Sequence, residues 1–98
     1  MKYSLLVRMK LVSYILAKHD PMHLISEGAP DEEYEHEAAR IVLELSEQSE
    51  RFWYCDRTQI LGDIITHCQG IFRTSFSETI SETYDWTPIA EEIMAVCQ

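Results

Sequence analysis

The sequence predicts an all-α fold, a single small bundle of four principal helices occupying residues 1–98 as one domain, and three observations point to it. Apolar residues recur at i, i+4, i+7 and i+11 in two separate stretches, Leu5/Met9/Val12/Leu16 and Tyr34/Ala38/Ile41/Leu45, which is the spacing that lines one face of an α-helix. Prolines fall at the edges of the periodic stretches rather than inside them, at Pro21, Pro30 and Pro88. No stretch alternates β-branched and polar residues as a half-buried strand would. With 98 residues, 46% of them apolar, the chain can fill one core and has no length for a second.

The first helix is expected over Tyr3–Lys18. Leu6, Leu11, Tyr14 and Ile15 widen its apolar stripe, and a helix apolar on most sides is expected at the centre of a bundle. Asp20-Pro21 ends it, because the residue before a proline avoids the α region. Residues 19–30 then form a connection in which Met22, Leu24 and Ile25 pack down onto the core.

The second helix is expected from about Pro30 or Asp31 to about Ser49. Gly28 permits a turn, Pro30 pre-sets φ for a first helical residue, and Asp31, Glu32 and Glu33 place negative charge at the positive end of the helix dipole. Tyr34, Ala38, Ile41 and Leu45 form the buried side, with Val42 flanking. At about 100° per residue, Glu32, His36, Arg40, Leu43, Glu47 and Glu50 fall opposite. Leu43 is therefore an apolar residue on an acidic outer face.

Phe52-Trp53-Tyr54 reads as an aromatic hinge. The third helix is expected from Asp56 or Thr58, with Ile60, Leu61, Ile64, Ile65, Cys68, Ile71 and Phe72 on one broad face. It either ends at Gly70 or continues to about Phe76, since an internal glycine costs only about 1 kcal/mol. Ser77–Asp85 is polar, and its Ser-Glu-Thr echo (77–79 and 81–83) reads as chance. Thr87-Pro88 forms an N-cap and N1 pair that opens the last helix, to about Val96, with Ile89, Ile93 and Val96 on one side.

Charge narrows the function. Eight basic and 17 acidic residues give a formal charge of −9, a balance that opposes direct binding to nucleic acid or an anionic membrane and favours basic proteins. The charge is also segregated. Residues 2–18 carry Lys2, Arg8, Lys10 and Lys18 and no acid, whereas residues 27–50 carry nine acids and only Arg40. Cys55, Cys68 and Cys97 are odd in number and lack ligand-like spacing, as expected of free, partly buried thiols in a reducing cytoplasm. The apolar N-terminal stretch is interrupted by Arg8 and Lys10, too short to span a bilayer and a poor secretory signal.

Candidate chemistry is sparse. His19, His23 and Glu27 have a helical metal-site spacing, but Pro21 breaks the helix that would align them. Asp63 and His67 read as an ordinary surface pair. Cys68 points about 100° away from His67 and belongs to the core, so a Cys–His nucleophile pair is not expected. The acids of the second helix lack the ladder, central glycine and closing glutamate of a calcium-binding loop. The Phe52-Trp53-Tyr54 run and Trp86 read mainly as core residues, with one or two available as binding anchors. There is no glycine-rich phosphate loop, nucleophile elbow or dinucleotide fingerprint. No enzyme activity, no cofactor and no metal are expected.

Asp20-Pro21-Met22-His23-Leu24, then Gly28-Ala29-Pro30-Asp31-Glu32-Glu33-Tyr34-Glu35-His36-Glu37, then Ile41 and Leu45, resemble an uncharacterised family of small helical bacterial proteins. Its motif runs Trp-Asp-Pro-x-aliphatic, a short gap, then Gly-Ala-Pro-x-Asp-Glu-Tyr. Ile71-Phe72 and Phe76 are similar to that family's closing segment, so the resemblance covers about residues 3–77. The chain departs from the pattern at His19, where the family has tryptophan, and in its extension through Thr87–Gln98. Proteins of this size and acidity also look like cognate immunity proteins of bacterial toxin systems, including contact-dependent growth inhibition. The resemblance implies an all-helical fold and, more loosely, an immunity role.

The expected function is that of a cytoplasmic immunity protein, monomeric rather than homo-oligomeric, which binds a cognate toxin domain (a basic nuclease) and masks its active site or substrate surface. The expected contact residues are Glu32, Glu35, His36, Glu47 and Glu50 for charge pairing, with Leu43 and Trp53 as apolar anchors. The alternative is a non-catalytic housekeeping bundle that self-associates through Leu6, Leu11 and Tyr14 of its apolar first helix. A run of acids is usually just a solvated face, and that is the simpler reading of this one.

Overall fold

Ser4 begins the first helix: its hydroxyl accepts the Val7 N–H at 3.3 Å, and α1 runs Leu5–His19. In the computed structural model, which describes residues 3–76 and 84–98, α1 is followed by α2 (Glu35–Ser46), a 3-10 helix (Glu50–Tyr54), α3 (Arg57–Ser75) and α4 (Thr87–Cys97). The protein is an all-α bundle, with no strand among the described residues. α1 packs on α2 and α4, and α3 packs on the same two helices, closing a four-membered ring around the core. The Ser-Glu-Thr echo and Lys2 lie outside the described residues.

The periodic stripes form the core as expected. Val12, Leu16, Tyr34, Ala38, Ile41, Val42, Leu45, Ile64 and Cys68 are fully or almost fully buried, joined by Ile89, Ala90 and Ile93 of α4. Phe72 stacks centrally at one end, with ring centroids 5.8 Å from Tyr34, 5.5 Å from Phe76 and 5.0 Å from Trp86. α3 runs straight through Gly70 to Ser75, because burial of Ile71 and Phe72 outweighs the modest propensity cost of one glycine.

Besides α1, which runs Leu5–His19 where Tyr3–Lys18 was expected, three boundaries differ from expectation, each for a local reason. α2 begins at Glu35, not at Pro30 or Asp31. Residues 30–34 instead make successive tight turns, with Glu33 N–H donating to Pro30 C=O and Glu35 N–H to Glu32 C=O, both at 3.0 Å. The acids of the first turn are Glu35 and Glu37, while Asp31, Glu32 and Glu33 precede it. At its other end α2 stops at Ser46, where Glu47 N–H reaches back to the carbonyls of Glu44 and Leu45 and tightens the last turn. In α4, Trp86 holds the N-cap position and Thr87 is the first helical residue, so Pro88 sits one place later than expected. Proline is still harmless there, since the first four N–H groups of a helix have no intrahelical partner. Asp85 Oδ1 accepts the Thr87 N–H at 3.0 Å.

The expected central position of α1 is also corrected. Its inner side is buried through Val12, Ile15 and Leu16, but Leu6 is 72% exposed and Tyr14 70% exposed. The ring of four helices gives α1 two neighbours, α2 and α4, and the surplus apolar side points outward. No helix among the described residues is long and apolar enough to cross a membrane.

Candidate functional site: a groove and an acidic face around α2

The connection between α1 and α2 is built on one carboxylate. Asp20 caps α1 in the left-handed region (φ 48°), with its N–H donating to Leu16 C=O at 2.7 Å. Its Oδ1 accepts the Ile25 N–H at 3.1 Å and its Oδ2 the Ser26 N–H at 3.0 Å. Tyr34 Oη donates to Asp20 Oδ1 at 2.6 Å and itself accepts the Met22 N–H at 3.1 Å. Burial works against the Asp20 charge, but the Tyr34 hydroxyl and the two amides outweigh it and hold the carboxyl below its ordinary value. Burial, then the neighbouring Asp20, pushes the Tyr34 phenol well above its ordinary value, so it stays a hydrogen-bond donor. Gly28 closes the segment at φ 108°, a conformation that disfavours any side chain.

This connection brings Asp31, Glu32 and Glu35 alongside α1. Between them lies an open groove of about 720 Å³, with Leu6, Met9, Lys10, Tyr14 and Ala17 on the α1 wall and the three acids and Ala39 on the other. Two of the expected contact residues, Glu32 and Glu35, thus line a groove. His36, Leu43 and Glu47 share the neighbouring outer face of α2, all exposed, with Leu43 at 44%. Glu50 is exposed at the start of the 3-10 helix. Trp53 is half-buried against the core, edge-on to Phe52 at 4.7 Å, while the next residue, Tyr54, is 87% exposed. The structure therefore spreads the expected set over a groove lip, an outer helix face and the 3-10 helix that follows.

The far side of α2 is committed to the fold. Glu44 Oε1 meets His67 Nδ1 of α3 at 2.8 Å, and Glu44 Oε2 lies 3.7 Å from Arg40 Nη2. His67 is therefore tied to α2 rather than to Asp63, correcting the expected surface pair. The cross-helix contact is invisible to spacing within one helix. Across the bundle, Glu92 of α4 pairs with both Lys18 and His19 at the end of α1. Burial raises the Glu92 carboxyl, but these two partners outweigh it and the net shift is downward. His23 is exposed with φ 57°, and no group of three or more His, Cys, Asp or Glu among the described residues is placed to hold a metal ion.

Two inward charges escaped the sequence reading. Arg8 is 8% exposed and Glu37 6%, and Arg8 Nε is buried without a hydrogen-bond partner. The signal was present: Leu5, Arg8, Val12 and Ile15 follow i, i+3, i+7 and i+10, so Arg8 lies on the buried stripe. With Arg8 turned inward, Lys10 and Lys18 are the exposed cations on α1. All three cysteines are free. Burial pushes the Cys68 thiol up to about 12, and that of Cys97 up to about 11 despite the opposing effect of Arg8.

No protein-family model, curated protein or solved structure matches this chain.

Proposed function

We propose that this protein is a stoichiometric inhibitor, a cytoplasmic immunity protein that binds a basic toxin domain of nuclease type and masks its active site or substrate surface. The observation that carries the reading is Leu43. It is a large apolar side chain, 44% exposed, set on the outer face of α2 with Glu47 one turn away and His36 on the same side. An apolar anchor within a charged rim is the anatomy of a protein-binding surface.

The rest of the chain supports that reading. A net charge of −9 raises the rate of encounter with a basic partner. Arg40, which shares this face, lies 3.7 Å from Glu44 and is offset by it. Glu50 continues the acidic surface into the 3-10 helix, and Trp53 lies close behind it. Glu32 and Glu35, on the groove lip, contribute to the long-range field. The resemblance of the Asp20-Pro21 and Gly28–Tyr34 segments to small helical bacterial proteins points the same way.

The test is protection. The polypeptide encoded beside this gene is expressed in cells with or without the protein, and growth is scored. Wild-type protein restores growth and co-purifies with that polypeptide. A folded variant carrying Leu43→Asp, Glu47→Lys and Glu50→Lys does neither. Full protection by that variant would reject the α2 face as the binding surface.

A further inference from the structure

Two helical rows of α1 shape the groove beside it. Leu6, Lys10, Tyr14 and Lys18 recur every four residues and are exposed, while Met9, Ser13 and Ala17 form the neighbouring row and are half-buried. Residues four apart on a helix form a ridge. The outer row is therefore a ridge, and the inner row, small at Ser13 and Ala17, is the furrow beside it. Ala39 of α2, also small and half-buried, completes the floor. From Leu6 to Lys18 the trough follows α1 for about 18 Å, just over three helical turns.

The trough is acidic at one end. The bond from Tyr34 to Asp20 fixes the start of α2 at the C-terminal end of α1, so Asp31, Glu32 and Glu35 line the groove there. Lys18 shares that end but pairs with Glu92, which lies outside the groove. Lys10 is eight residues further back, about 12 Å along α1. Lys10 and the three acids take part in no ion pair among the described residues. One uncommitted cation against three uncommitted acids leaves the groove an acceptor of positive charge.

We propose that this groove docks a cationic amphipathic helix of a partner protein, its apolar side laid along Met9, Ser13, Ala17 and Ala39 and its basic residues gathered at the Asp31/Glu32/Glu35 end. The ridge of a second helix packs into the furrow beside an i, i+4 row, and the small residues on the floor let its backbone come close. The positive N-terminal end of a helix dipole also suits the acids. Leu6 and Tyr14, 72% and 70% exposed, flank such a helix and are covered by it. A second copy of this chain, with 17 acids to 8 bases, brings the wrong charge to that end. Neither Leu43 nor Glu47 lines the groove, so this is a surface separate from the outer face of α2.

A synthetic peptide serves as the probe. It has about twelve residues, matched to the groove at 1.5 Å per residue, with leucines on one helical face and lysines gathered at one end. A twin of the same composition has its leucines scattered around the helix. Fluorescence anisotropy with the wild-type protein gives a dissociation constant below about 100 µM for the first peptide and at least about tenfold weaker binding for the twin. Helices this short are marginal alone, so binding adds helical circular dichroism beyond the sum of the two components. Glu32→Lys with Glu35→Lys weakens binding at least about tenfold, whereas Glu47→Lys with Glu50→Lys, the same change of charge on the outer face, weakens it less than about threefold. Ala17→Trp fills the floor without altering charge and weakens binding. Tyr14→Ser, at an exposed position, weakens it too and gives a second reading on a folded chain. No binding of the first peptide, equal binding of the twin, equal losses from the two charge pairs, or binding without a gain of helix would overturn the proposal.

Discussion

Tyr34 Oη donates to Asp20 Oδ1 across 2.6 Å, joining the cap of α1 to the residue just ahead of α2. The tyrosine ring is fully buried against Phe72 and Phe76, and its hydroxyl reaches out of the core to a carboxylate that also holds Ile25 and Ser26 N–H. The segment from Asp20 to Tyr34 is thus a structural latch. It fixes the path of residues 20–34 and through that path the acidic wall of the groove.

Removing either half of the latch should be costly. A hydrogen bond to a charged group contributes about 1.5–3 kcal/mol, so Tyr34→Phe is expected to lose about 1.5–2 kcal/mol of stability. Asp20→Asn should lose about 2–3 kcal/mol because it weakens several bonds at once. Urea unfolding of the two single variants and the double variant checks this. The double variant should be less destabilised than the sum of the singles, since the two residues share an interaction.

Acid should unfold the protein in a way that traces to the same carboxylate. The folded-state values of Asp20 and Glu92 lie below their ordinary ones. The stability they contribute is therefore complete above the unfolded value of about 4 and is lost as pH falls through the folded values. Thermal melts between neutral pH and strong acid should show a loss of stability beginning near the unfolded carboxylate value. That loss should be smaller in Asp20→Asn, and smaller again when Glu92→Gln is added.

The cysteines give a probe of packing. Cys68 and Cys97 are buried, with thiols raised to about 12 and about 11, whereas Cys55 is partly exposed. A thiol reacts as its thiolate, so brief iodoacetamide treatment of the native protein at neutral pH should modify Cys55 and spare the other two. In denaturant all three should react. Mass spectrometry of the digests reads both results.

Much of this structure was legible in the residues. The Leu5/Met9/Val12/Leu16 and Tyr34/Ala38/Ile41/Leu45 stripes placed the inner sides of α1 and α2, because burial depends on a period that the chain displays openly. The start of α2 was not legible. Pro30, Asp31, Glu32 and Glu33 carry good local helix-start signals, but Tyr34 is drawn to Asp20 and Met22 across a dozen residues, and that tertiary anchor sets the turns before Glu35. The exposed side of α1 was missed for a related reason. Periodicity counts the apolar residues at Leu6 and Tyr14 but does not reveal how many neighbours a helix will have. For the candidate site, the outer position of Leu43 was readable at 100° per residue. The separation of Glu32 and Glu35 into a groove depended on where the connection folds.

The most direct test of the account is the binding of the neighbouring gene's product to the outer face of α2. Titration calorimetry of that polypeptide against wild-type protein should give a one-to-one ratio of chains. The affinity should fall with added salt, as opposite charges are screened. The Leu43→Asp, Glu47→Lys, Glu50→Lys variant should bind at least about a hundredfold more weakly, a loss of about 2.7 kcal/mol or more. Binding of equal strength to the wild type and to this folded variant would contradict the central claim.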